Sequence, residues 1–186
     1  MQPDELAVMG LGAGPRAGDW FEALFRDHYP RVVALLTRLI GDRGQAEEIA
    51  ADTFSKLARR SFLLASRGGA TAWIYRVATN AALDAIRSTR RRRRKEQAAV
   101  RERVRMGEQV CTLDLLLREE RGAQVRAILA VLKPREAQIL LLRSSGMAYR
   151  EIALALGVAA SSVGTILARA EREFERRYRA QYGENL

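Results

Sequence analysis

Ser161, Ser162, Thr165, Arg169 and Arg172 recur at helical spacing near the end of the chain, opposite Val163, Ile166, Leu167 and Ala170. Hydroxyl and guanidinium groups gathered on one helix face can donate to phosphate oxygens and base edges. Just upstream, Ile152, Ala153 and Leu156 mark a shorter apolar stripe, and Gly157 is the residue type best suited to a left-handed helix end. The spacing predicts two short amphipathic helices joined by a glycine turn over 148–172. That is a helix-turn-helix, which lays its second helix in a DNA major groove.

The formal charge of +10 lies entirely in the later part of the chain. Residues 1–86 carry 10 basic and 10 acidic side chains, whereas residues 87–186 carry 22 and 12. Arg87, Arg90, Arg91, Arg92, Arg93, Arg94 and Lys95 form a block of seven cations with no acid among them. Such a block is an electrostatic footprint for polyanions, whose binding releases counterions. Taken alone it also fits a solvated basic tract or a patch for anionic membrane. The helix-turn-helix downstream favours nucleic acid.

Composition narrows the classes further. At 186 residues with 48% hydrophobic content, the chain can build one medium core or two small ones. Cys111 is the only cysteine and His28 the only histidine, so an internal disulfide and a Cys/His zinc cluster are both excluded. No metal and no cofactor is expected. Nor is an enzyme: the acids are dispersed rather than clustered for metal-assisted cleavage, and His28 lies beside Tyr29 without a catalytic partner. No apolar run approaches the roughly 20 residues needed to span a bilayer. The first residues lack a basic, apolar leader. A soluble, cytoplasmic chain without membrane insertion is the expectation.

The elements that would position these groups are all helical. Residues 1–18, rich in Gly, Pro and Ala, read as a mobile tail. Asp19 is placed to cap a helix carrying Trp20, Phe21, Leu24 and Phe25. Pro30 should interrupt or kink it before Val32, Val33, Leu35, Leu36 and Leu39 continue the stripe. A second helix is expected over Gln45–Arg59, burying Ile49, Phe54 and Leu57, and a third over Thr71 to about Arg94, with Ile74, Val77, Ala78, Ala81 and Ile86 inside and Trp73 and Leu83 at its margins. Residues 96–121 read as a linker. Val125, Ile128, Leu129 and Leu132, then Pro134 at a helix start, lead into the helix-turn-helix. The prediction is an all-α chain of two small domains, 19–95 and 122–182.

Three stretches then fit one pattern. They are Ala46-Glu47-Glu48-Ile49-Ala50-Ala51-Asp52-Thr53-Phe54; Ala72-Trp73-Ile74-Tyr75-Arg76-Val77-Ala78-Thr79-Asn80 followed by Leu83-Asp84 and the arginine block; and Leu132-Lys133-Pro134-Arg135-Glu136 with Ile139 to Arg143 leading into the groove reader. In this order and spacing they resemble a bacterial sigma factor of the extracytoplasmic-function (ECF) type, the smallest members of the sigma-70 family. The resemblance implies partners: core RNA polymerase, through its β′ clamp and β flap, and promoter DNA. It also implies control by an anti-sigma factor, which no residue here identifies. Glu47, Glu48 and Asp52 would meet the polymerase. Trp73, Tyr75, Asn80, Arg87, Arg90 and Arg91 would hold the −10 element, and Tyr149, Arg150, Ser161, Ser162, Thr165, Arg169 and Arg172 the −35 element.

The residues themselves leave alternatives open. Trp73 also fits a core aromatic. Asn80, an amide in an apolar helix, must find a partner, and an unpaired base edge is one candidate beside the loop before Trp73. The acids also fit solvated helix charges. Ala51 stands where the family often has Gln, and Gly164 and Ile166 where it commonly has Lys and Arg. An interior glycine costs roughly 1 kcal/mol relative to alanine, so Gly164 points to a close approach by a neighbour. The expectation is a −35 reader that relies more on hydroxyls and shape than typical relatives do. A stand-alone helix-turn-helix regulator is the rival reading, but it leaves the acidic helix and 73–95 without a role. Cys111 has no defined neighbour and reads as inert.

Overall fold

Two apolar stripes on the first helices decide how the front of the chain packs. The structure is a computed structural model, and it describes residues 17–60, 67–100 and 113–183. The first helix, α1 (Ala17–Ile40), buries Leu24 ahead of Pro30 and Val32, Leu35 and Leu36 after it. It therefore runs through Pro30 rather than breaking there. An interior proline costs about 3 kcal/mol. Burying each large aliphatic side chain returns about 1.5–3 kcal/mol, so four of them outweigh the penalty. Asp19 falls inside α1, two residues past its start, and not at the cap position.

Helix α2 (Arg43–Ala58) opens where Asp42, in extended backbone, accepts a hydrogen bond from the Gln45 N–H at 3.0 Å. It buries Ala46, Ala50, Thr53, Phe54 and Leu57 against α1. Phe54 meets Phe25 and Tyr29 edge-on, at centroid distances of 5.1 and 5.6 Å. Helix α3 (Arg67–Val100) is longer at both ends than the sequence suggested and lies across both.

Helices α4 (Leu113–Leu129), α5 (Pro134–Ser144), α6 (Tyr149–Leu156) and α7 (Ala160–Tyr182) form the second unit. Both α5 and α6 start without a Ser, Thr, Asp or Asn cap. Instead the third residue of each reaches back: Glu136 accepts from the Lys133 N–H at 3.3 Å, and Glu151 from the Ala148 N–H at 2.7 Å. Along α7, Tyr178 donates to Gln124 of α4 at 2.7 Å, and Arg177 donates to the Val131 carbonyl at 3.1 Å.

The two units are packed against each other. Helices α5 and α6 both lie against α3, and the buried side chains of both units run together as one core. Gln138, which is buried, donates to the Arg76 carbonyl at 3.3 Å, and Arg87 donates to the Leu132 carbonyl at 3.4 Å. The expected linker is helical at both ends, in α3 and α4, while its centre with Cys111, and most of the expected tail, lie outside the described residues. Among the described residues there is no strand, no group of three metal-ligating side chains, and no single helix long and apolar enough to cross a membrane.

Candidate nucleic-acid interface

Gly157 makes the turn of the reader. Its φ of +64° is the left-handed conformation that closes α6, and the Val158 N–H returns to the Ala153 carbonyl at 3.0 Å. Arg135 of α5 also donates to the Leu156 carbonyl at 3.3 Å, satisfying another free helix end. The chain bends by 88° between α6 and α7, near the angle at which a helix-turn-helix presents its second helix. Val163, Leu167 and Ala170 are buried, and Ile166 is half-buried against the same core. Ser161, Ser162, Thr165, Arg169 and Arg172 are exposed together on the other side of α7. Arg150 is exposed on α6. Arg172 meanwhile donates back to the Ala168 carbonyl at 3.1 Å, a contact that a phosphate can replace.

Tyr149 opens α6 and is 44% exposed, although most large apolar side chains are buried. A Cβ on Gly164 would stand 3.7 Å from Tyr149 Cε2, so the ring rests over the gap left by the missing side chain. The guanidinium of Arg143 lies 5.7 Å from the centroid of the same ring. The close backbone approach that an interior glycine suggested is not there: a Cβ at 164 would meet only this ring, at an ordinary contact distance.

The second candidate surface runs along α3. At 100° per residue, Trp73, Arg76, Asn80, Asp84, Ser88, Arg91 and Lys95 share one stripe. All are exposed except Trp73, which is half-buried with the Arg60 guanidinium 5.3 Å from its ring centroid. Asn80 is exposed, so its amide needs no protein partner to offset burial. Arg76 and Arg60, which the sequence reading did not single out, belong to this surface. Arg76 was findable, since it lies three residues after Trp73 and four before Asn80. Arg60 was not, because a turn and residues 61–66 separate it from the helix it faces.

Two expected members are placed differently. Tyr75 is 5% exposed, on the side of α3 away from the stripe, with its ring edge-on to His28 at 5.9 Å. Burial pushes its phenol above the usual range; Arg31 opposes that and Glu151 of α6 adds to it. In this arrangement it offers no face to a base. Arg87 is mostly covered, spanning between Asp84 at 3.9 Å and the Leu132 carbonyl. Arg90 is half-buried and Arg91 exposed. A cleft of about 1130 Å³ adjoins the basic end of α3, lined by Arg90, Arg92, Arg94 and Arg126 with Asp42 and Asp84.

Two of the acids of α2 are paired within their own helix. Glu47 pairs with Arg43 at 2.8 Å and Asp52 with Lys56 at 2.6 Å, each one turn away on the same helix, and Glu48 is exposed. Exposed pairs of this kind are worth about 0–1 kcal/mol, so a basic partner surface can take them over at little cost.

Residues 24–92 match the family model for sigma-70 region 2, and residues 122–174 match that for sigma-70 region 4. The acidic helix and the α3 stripe down to Arg92 fall in the first match, and the helix-turn-helix in the second. The chain is also 30% identical over 173 residues to the "ECF RNA polymerase sigma factor SigE" of Mycolicibacterium smegmatis. That alignment takes in 92% of this chain and 65% of the relative, so the chain spans somewhat under two thirds of that protein's length.

Proposed function

We propose that this chain, a member of the sigma-70 family, is an alternative sigma factor of the extracytoplasmic-function branch that binds core RNA polymerase and directs it to a set of promoters. The observation that carries this reading is the presence of three surfaces in one chain: the acids of α2, the α3 stripe running into a cation block, and an exposed groove helix on α7. A duplex-binding regulator needs only the last.

Each surface has a physical task in this reading. Glu47, Glu48 and Asp52 exchange their weak partners for a basic polymerase surface. Trp73 and Asn80 receive bases of the −10 element once they leave the stack. Opening costs a few kcal/mol per step, which cations along the backbone help to offset. Arg76, Arg91 and Lys95 are the exposed cations on that stripe. The α7 face holds the −35 duplex. No covalent step is required, so the chain acts as an initiation factor rather than an enzyme, working in the cytoplasm where the polymerase is.

Reconstitution tests the proposal. Core polymerase alone, and core polymerase with the full chain, are each given a pool of promoter fragments, and transcript starts are mapped. New, reproducible start sites are expected only with the chain present. Duplex binding with no association to polymerase and no new start sites would favour the stand-alone regulator instead.

A further inference from the structure

Most of the α7 face is small or hydroxylic at its first two turns: Ser161, Ser162, Gly164 and Thr165. The cations Arg169 and Arg172 come only one to two turns later. An unsubstituted position at 164 leaves a hole in the reading face. The ring of Tyr149 lies beside that position, its Cε2 3.7 Å from where a Cβ would be, and the Arg143 guanidinium stands over the ring. An aromatic edge in a major groove has a defined chemical target, since the C5-methyl of thymine is the one apolar group a base edge presents there.

We propose that Tyr149, seated over Gly164 and braced by Arg143, is a specificity-determining residue that selects a thymine methyl in the −35 element. It takes the place of a side chain at position 164. A long cationic side chain there would displace the ring and bring a donor suited to guanine O6 and N7. The Arg143 guanidinium, 5.7 Å from the ring centroid, braces the ring from α5. The inference rests on reading α7 as the groove helix.

The experiment uses holoenzyme assembled from the full chain and core polymerase. Duplexes with a randomised upstream element are selected, and each selected thymine is then replaced by deoxyuracil, which removes only the methyl. With the parent chain, one thymine should be sensitive, with about a fourfold loss on replacement, the worth of burying one methyl-sized group. Tyr149→Phe should keep that sensitivity. Tyr149→Ala and Gly164→Lys should abolish it, and Gly164→Lys should also shift the selected base towards guanine. Because a Cβ at 164 meets only the Tyr149 ring, and at an ordinary 3.7 Å, the lysine variant tests the idea even if the alanine variant folds poorly.

Equal deoxyuracil sensitivity in parent and Gly164→Lys chains would overturn the inference while leaving the reader intact. So would a Tyr149→Ala loss that is uniform across all sequences, which marks a phosphate contact only. Failure to enrich any sequence would remove the groove-helix reading itself.

Discussion

Gln138 of α5 donates its amide to the backbone carbonyl of Arg76 on α3 at 3.3 Å, across the boundary between the two units. Arg87 makes a second tie, from the same side of α3, to the Leu132 carbonyl just before α5 begins. Arg76 lies on the stripe proposed to receive unpaired bases, so α5 borders that stripe along one edge. The groove reader and the base-holding helix are therefore neighbours in this structure. If α3 and α7 hold the two promoter elements as proposed, they must separate on a promoter. Elements at −35 and −10 lie roughly 25 base pairs apart, about 85 Å of duplex at ~3.4 Å per step.

The first prediction is that these units part when the chain engages polymerase and promoter. Dyes at Ser55 on α2 and Ala180 on α7, both exposed, should show high energy transfer in the free chain and low transfer in the open complex. Gln138→Ala should destabilise the free chain by about 1 kcal/mol and leave promoter binding equal or tighter. High transfer retained in an active open complex would contradict this.

Arg169 and Arg172 are expected to contact phosphates or base edges. Alanine at a phosphate-contacting position should lower affinity for all sequences and reduce the slope of log K against log salt by about 0.9. Titration of promoter binding at several salt concentrations reads this directly. Unchanged slopes and affinities in both variants would move the DNA surface elsewhere.

Gly164→Ala should stabilise the fold. The added Cβ meets Tyr149 at an ordinary 3.7 Å, with no clash, and the helix gains up to about 1 kcal/mol in propensity. Urea denaturation should show a higher midpoint with an unchanged slope. A lower midpoint would mean the ring is packed more tightly than this geometry allows.

Glu173 links Arg176 and Arg177 on α7, at 2.8 and 2.6 Å, and Arg177 in turn holds the Val131 carbonyl. Hydrogen bonds from Arg176 and Arg177 hold the Glu173 carboxyl down to about 2. A folded-state value below the unfolded one adds stability that is present above about pH 4.5 and is lost as pH falls through about 2. Glu173→Gln should therefore melt lower than the parent at pH 7, and the gap should close on acidification. A gap independent of pH would contradict it.

The helices and the reader were legible because their signals are local. Gly157 and the apolar triplets around it lie within a few residues of what they control. The course of α1 through Pro30 was not, because it turns on burial of Leu24, Val32, Leu35 and Leu36 against partners the chain reaches later. Periodicity also says that a face is apolar without saying what covers it. Leu83, expected at a margin of α3, is 1% exposed, and Tyr75, offered as a base contact, is buried. Both departures reflect packing of α3 against helices before and after it, including α5 and α6 more than 50 residues further along. Arg143 was missed because the Gly146 turn, not a helical period, brings it to Tyr149.

A sigma factor's defining effect is strand opening that neither it nor the polymerase achieves alone. Permanganate oxidises thymines only where they are unstacked, and so maps opened base pairs one by one. Holoenzyme on a promoter it selects should give reactive thymines in the −10 element, absent with either component alone and weakened by Asn80→Ala or Trp73→Ala. Firm, specific binding at the −35 element with every thymine of the −10 element still unreactive would contradict the claim.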